Sequence, residues 1–245
     1  MDELKLLIKE YEIEHVEFED DNLTLDRDRA VSIFEGIDKI NKDVKQISWS
    51  TPNGIRIDSM DRQLLNLIKR SGCLALSFGV ESGDPEILKR MGKKIDLSKV
   101  LEVIKICKEL DIRTNIFLMI GYPGENQDSF NKTILLVKEL KKLGANFYTT
   151  VTRAYPDTEL FKFCDKNGYL PKKDIREDVF LGNTLTLGNS ITTSDFNSRV
   201  LQKRIVFIER LTVPLYLRIY HRYFHLIKKI IPDSLIQRIK YFLTR

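Results

Sequence analysis

The stretch LALSFGVESGDPEILKRM runs from Leu74 to Met91. An apolar run ends on a lone carboxylate, Glu81, set among Gly79, Ser82 and Gly83. Asp84 and Pro85 then open a helix-forming segment, an acceptor at the N-cap followed by proline at the first helical position. A strand ending on a charge at a glycine turn, with a helix directly after it, is one strand–helix unit.

The same unit repeats on both sides. HVEFEDD (15–21) alternates as a strand, and residues 27–40 follow with helical spacing at Val31, Phe34, Ile37 and Ile40. KQISWST (45–51) predicts a second strand, and residues 59–72 a helix closed by Gly72. CLALSFGVE (73–81) is the third strand, with Asp84 and Asp96 as N-caps of the helical segments after it. IRTNIFLMIG (112–121) is the fourth strand, residues 126–144 the next helix, and NFYTTVTRA (146–154) the fifth strand. Five strand–helix units imply parallel strands joined by right-handed crossovers. The near-continuous apolar runs predict strands covered on both faces. The fold class is α/β, and two architectures fit: an open doubly wound sheet, or part of a βα barrel.

In both, chemistry belongs at the C-terminal strand ends. Those ends carry Glu19, Asp20, Asp21 and Asn22; then Thr51, Asn53 and Arg56; then Glu81 and Ser82; then Gly121 to Glu125; then Thr152, Arg153 and Tyr155. Loops are polar in general, but here several carboxylates follow apolar runs directly.

Composition bounds the rest. The chain has 245 residues, 42% of them hydrophobic and 31% charged, enough for one substantial core. No window is long and apolar enough to span a membrane, and the acidic, amphipathic N-terminus is not a secretory signal. The expected compartment is cytosolic. Three cysteines, Cys73, Cys107 and Cys164, are too far apart for a close metal-ligand pair and predict reduced, buried thiols. His15 precedes a strand, while His221 and His225 share a helical face and are expected to be solvated. The net charge of +5 is uneven: residues 199–245 hold eleven Lys/Arg and two Asp/Glu, a net +9, leaving −4 for the rest. That tail has helical apolar spacing, seven aromatics, and breaks at Pro214 and Pro232. It suits a helix set packed on the core, or one that meets an anionic membrane surface or a partner. No nucleic-acid motif is present.

Four segments together resemble the radical S-adenosylmethionine (SAM) enzymes, in particular the branch often joined to a cobalamin (B12)-binding domain. They are VEFEDDNLTLDRDRA, GIRIDSMDRQLLNLIKRSGC, LSFGVESGDPEILKRMGKK and NIFLMIGYPGENQDSF. AYPDTELF is similar to a further turn of that family, with Asp157 where glycine is commoner. The likeness covers about residues 1–165, which sets a core there, a connecting segment at 166–198 and a basic amphipathic tail at 199–245.

The resemblance implies a partial βα barrel, SAM as cofactor, and a [4Fe–4S] cluster held by a Cys-x3-Cys-x2-Cys loop after the family's first strand. That unit and that loop are missing here, so the chain is expected to be a fragment, inactive alone. It would then be completed in trans by a polypeptide carrying the loop, or be a binding protein that kept the scaffold. The resemblance assigns Asp20 and Asp21 to the SAM amino group. Glu81 and Ser82 would face its ribose and methionyl part, and Ile120 would lie near adenine. Asn53 falls at the same rim. Arg56 and Arg153 would meet a carboxylate, or else form surface ion pairs. Glu81 has a structural alternative as a charge stabilised by the helix that follows it.

Overall fold

Most helices begin where a short polar side chain accepts a first-turn amide, which replaces one of the hydrogen bonds a helix start lacks. A computed structural model of the chain describes residues 1–20, 22–170 and 190–213. In it Asp26, Asp61, Asp84, Asp96, Asn126 and Thr158 each cap a helix in this way. Pro85 occupies the first turn of its helix, as the sequence predicts.

The elements in chain order are α1 (Asp2–Tyr11), β1 (His15–Glu17), α2 (Arg27–Asp43), β2 (Ser48–Ile55) and a 3-10 turn (Ile57–Ser59). Then come α3 (Arg62–Arg70), β3 (Cys73–Glu81), α4 (Pro85–Arg90), α5 (Leu97–Glu109) and β4 (Arg113–Ile120). The last described elements are α6 (Gln127–Lys142), β5 (Asn146–Val151), α7 (Glu159–Lys166) and α8 (Ser198–Thr212). By internal contacts the chain divides into Met1–Gln202 and Lys203–Arg245, and the sheet lies in the first unit. His221, His225, Pro214 and Pro232, with most of the connecting segment and tail, lie outside the described residues.

Three strands differ from their predicted spans by three residues or more; β5 ends at Val151, short of the predicted 154. β1 stops at Glu17, although the amide of Phe18 still reaches the Ser50 carbonyl at 3.0 Å. β2 starts later and ends later than its local pattern suggests. The Lys45 amide bonds back to Ile40 of α2, so it finishes the helix instead of opening the strand. Pro52 and Gly54, which locally resemble turn residues, are carried in the strand by a register shift between Thr51 and Ile55.

All neighbouring strands are parallel, in the order β1-β2-β3-β4-β5. This order decides between the two architectures. A doubly wound sheet reverses direction at a switch point; here each strand lies beside its predecessor throughout. Right-handed crossovers in an unreversed order send every helix to the same side, and the sheet is a partial βα barrel.

The covered face is apolar. Leu76, Phe78 and Val80 of β3 and Ile116, Leu118 and Ile120 of β4 are fully buried. Trp49 of β2 stacks on Phe34 of α2 at 5.0 Å, meets the edge of Phe18 at 5.5 Å, and donates its Nε1–H to Ser71 Oγ at 3.0 Å. Burying an indole of roughly 200 Å² contributes about 5 kcal/mol of gross transfer free energy. The other face is different, and the expectation of cover on both faces is corrected here. Arg113, Asn115, Phe117 and Met119 alternate with the buried residues of β4 and stay exposed or half-buried. Asn146, Tyr148 and Thr150 of β5 are exposed. This face is open and largely polar.

Candidate functional site

The open face is built in rows across the strands. In the lowest row, Asn115 donates through Nδ2 to Ser77 Oγ at 3.2 Å, and Asn146 donates to Asn115 Oδ1 at 3.3 Å. At the β1 side, the His15 ring lies between Ser48 Oγ at 2.8 Å and Ser50 Oγ at 3.0 Å. The next row sets Gly79 beside Phe117 and Phe117 beside Tyr148. Those two rings meet edge to face at 5.9 Å.

Glu81 stands above that row. The pairing of β3 with β4 shifts between Gly79 and Glu81, so that Glu81 pairs with Leu118. Its φ of +67° is left-handed, where a side chain costs about 1 kcal/mol. The combination folds the carboxylate back over Gly79. A Cβ on Gly79 would sit 2.8 Å from Glu81 Oε1, so a larger residue there would make the carboxylate shift from this position. Oε1 also lies 3.2 Å from Lys93 Nζ.

The rest of the turn is held from behind. The Ser82 hydroxyl is buried, 3.3 Å from Thr133 Oγ1 of α6, and accepts from the Asp84 amide at 3.1 Å. The Gly83 amide donates to Thr133 Oγ1 at 2.9 Å. A Cβ on Gly83 would lie 2.5 Å from Thr133 Cα, which is backbone and cannot yield. Asp84 caps α4 and pairs with Lys132 at 3.1 Å.

The other predicted residues are distributed along the same rim. Asn53 donates to the Glu19 carbonyl at 2.9 Å and ties the ends of β1 and β2. Asp20 pairs with Arg29 of α2 at 3.2 Å. Asp21 lies outside the described residues. Arg56 forms a two-pronged pair with Asp58; the pair raises the guanidinium pKa and holds the Asp58 carboxyl below the usual range. Ile120 is fully buried on the covered face. Arg153 follows β5 and is half-buried. Lys93 and Thr133 were not legible as partners, because Lys93 reaches Glu81 from the loop after α4 and Thr133 reaches the turn from α6.

The three cysteines are free and buried. Burial pushes the Cys107 thiol up to about 12 and raises those of Cys73 and Cys164. Cys73 opens β3, Cys107 is in α5 and Cys164 in α7. Thiols so protonated and so distributed do not fit an iron–sulfur cluster, whose ligands are thiolates. Among the described residues no group of three or more His, Cys, Asp or Glu could hold a metal ion. No helix among them is long and apolar enough to cross a membrane.

A parallel, unreversed βα sheet with a polar open face and a built C-terminal rim defines a partial-barrel protein, a fold class in which chemistry is carried at the C-terminal strand ends. Residues 1–137 match the profile of the Radical SAM superfamily, and the chain belongs to that superfamily. It is 29% identical over 206 residues to an uncharacterized methyltransferase of Pyrococcus horikoshii, covering 84% of this chain and 43% of the relative. It is 28% identical over 181 residues to cytidylyl-2-hydroxyethylphosphonate methyltransferase of Streptomyces wedmorensis, covering 71% of this chain and 33% of that one. Among solved structures, the radical SAM methyltransferase TsrM from Kitasatospora setae, with cobalamin and a [4Fe–4S] cluster bound, shares the fold. Its TM-score is 0.64 at 15% identity, over 87% of this chain and 46% of that chain. The chain thus spans less than half the length of each of these proteins.

Proposed function

We propose that this chain forms the adenosyl-holding part of a radical SAM enzyme that acts in methyl-group transfer. The observation that carries the proposal is the Glu81 carboxylate, folded by a left-handed residue over Gly79 at the mouth of the open face. The names of the two relatives, both methyltransferases, support the reaction class.

Glu81 accepts hydrogen bonds from hydroxyl or ammonium donors of the adenosyl ligand. Ser82 and Thr133 hold the turn that aims it. Asp20 and Asp21 offer negative charge to an ammonium, and Asn53 keeps their loop against β2. Arg56 and Arg153 are the candidates for a carboxylate; Arg56 would share its guanidinium with Asp58. Ile120 supports the rim from the covered side. When bound on a reduced cluster, SAM supplies the radical chemistry, and the protein supplies orientation. The cysteines of this chain do not fit that cluster, and no step is assigned to them.

Equilibrium dialysis with labelled SAM and S-adenosylhomocysteine tests the site. The chain is expected to bind both, and Glu81→Gln to weaken binding by about tenfold or more. Equal binding by the variant, or none by the parent chain, would overturn the proposal.

Completion in trans is a second reading, favoured by the outer edge of β1, which pairs with no strand among the described residues. Such an edge is a template for another strand. Anaerobic reconstitution of the chain alone is then expected to yield no broad visible absorbance of a cluster; its appearance would refute this reading. A scaffold that kept binding and lost catalysis would bind SAM yet show no turnover with any cluster-bearing partner. For the tail, the exposed Val206 and Phe207 of α8, near Lys203 and Arg210, support peripheral attachment of a cytosolic protein to anionic lipid. Failure to co-sediment with anionic liposomes at low salt would exclude it.

A further inference from the structure

The open face carries two rows of side chains that the adenosyl reading, set at the strand ends, does not use. In one, Ser77 of β3, Asn115 of β4 and Asn146 of β5 lie side by side in register. In the other, Gly79, Phe117 and Tyr148 do. No residue of either row is charged.

The first row is a chain of amides. Asparagine is depleted in strands, yet two neighbouring strands each place one here. Asn146 donates to Asn115 Oδ1, and Asn115 donates to Ser77 Oγ. A carboxamide has two N–H donors and two acceptor lone pairs. Among the described residues these bonds use one donor of each amide, so each keeps an N–H and an acceptor site. Asn146 is exposed and Asn115 half-buried, so both stay within reach of a ligand.

The second row is an aromatic plate. Phe117 and Tyr148 meet edge to face, and Tyr148 is 56% exposed. The floor beside Phe117 is bare. Gly79 is its neighbour on β3, and a Cβ on Gly54 of β2 would sit 3.2 Å from Phe117 Cε2. The two rows are two residues apart along each strand, about 6.6 Å. A flat ring resting on the plate therefore sets its edge over the amides.

We propose that this face binds a planar, uncharged heteroaromatic ring with a cis-amide edge, the N–H and C=O pattern of a pyrimidine base. Aromatic side chains take the face of such a ring by stacking, and an amide side chain takes a donor–acceptor edge. A charged ligand finds no counter-charge in either row. A purely apolar ring strips water from the amides and returns no hydrogen bond. The place of this ring as the enzyme's substrate rests on the adenosyl reading above; its binding does not.

Equilibrium dialysis with three labelled nucleosides tests it, with and without saturating S-adenosylhomocysteine. Uridine has both the flat ring and the amide edge. Dihydrouridine keeps the edge and loses the flat aromatic ring. Uridine methylated on its ring N–H keeps the flat ring and loses the donor. All three share the ribose, so their ratios report the base alone. The parent chain is expected to prefer uridine over either analogue by about tenfold. Tyr148→Ala should erase the preference over dihydrouridine, and Tyr148→Phe should keep it. Asn146→Ala should erase the preference over the methylated base. Equal binding of the three nucleosides, or preferences that survive both alanine variants, would overturn the proposal. Displacement of uridine by S-adenosylhomocysteine would put it in the adenosyl site and overturn it too. The same base is offered within a short single-stranded oligonucleotide: binding in that form only would name the source as a nucleic-acid strand, and binding in neither form refutes the proposal. Uridine preference without S-adenosylhomocysteine binding would sink the adenosyl reading alone; the reverse would sink this inference alone.

Discussion

Glu81 and Asp157 share the same backbone angle, φ of +67°, and little else. Each is an acidic residue in the region that favours glycine. Glu81 ends β3, opposite a register shift, with its carboxylate over Gly79 and against Lys93. Asp157 lies exposed in the turn before α7, one residue ahead of the cap Thr158. Backbone strain of about 1 kcal/mol is common to both. At Glu81 the strain holds a side chain in place; at Asp157 it holds none that the structure shows. Strain by itself therefore does not mark a site. Strain combined with a cleared space and a fixed charge is what sets Glu81 apart.

The comparison can be broken or sharpened by substitution. The largest effect is expected at the turn that carries Glu81. Gly83→Ala drives a Cβ to 2.5 Å from Thr133 Cα, and should lower stability by about 3 kcal/mol, seen as a fall in urea midpoint. A near-neutral result would mean that α6 does not brace the turn. Next is Glu81→Gly, which relieves the strained backbone yet should reduce adenosyl binding by about tenfold or more. Retained affinity would remove the distinction between the two residues. Asp157→Gly should raise stability by about 1 kcal/mol and leave adenosyl binding unchanged. A loss of binding there would give Asp157 a role in the site.

The smallest effect belongs to the Arg56–Asp58 pair. Arg56 depresses the Asp58 pKa in the folded state. Such a group stabilises the fold above its unfolded pKa, near 3.9, and that contribution is lost as pH falls through the folded pKa. Both side chains are well exposed, so the contribution is a few tenths of a kcal/mol. Arg56→Gln should lower stability by that amount at neutral pH and match the parent chain in strong acid. Unfolding curves at several pH values would check it; a difference that grows toward acid would contradict the sign.

Much of this molecule was legible locally. Asp84, Asp96 and Pro85 announce helix starts because capping needs only residues within one turn. The span of β3 was readable to the residue, and the repeated strand–helix pattern marked the C-terminal strand ends as the rim. β2 was less legible, because Pro52 and Gly54 locally signal a turn and only a shift against β3 keeps them in the strand. Asn53 and Arg56 stood out by residue type, whereas their partners, the Glu19 carbonyl and Asp58, emerged only in three dimensions.

By itself, the sequence determined five strand–helix units, their caps, three thiols without a metal-binding spacing, and a carboxylate at a glycine turn. These are properties of residues close in the chain, where propensity, capping and periodicity act. The tertiary structure decided the order of the strands, which makes one face open, and the company Glu81 keeps. An alternating pattern of strands and helices is the same in a wound sheet and in a barrel. Which strand lies beside which, and which lysine reaches which carboxylate, depends on packing between segments that the chain brings together only when it folds.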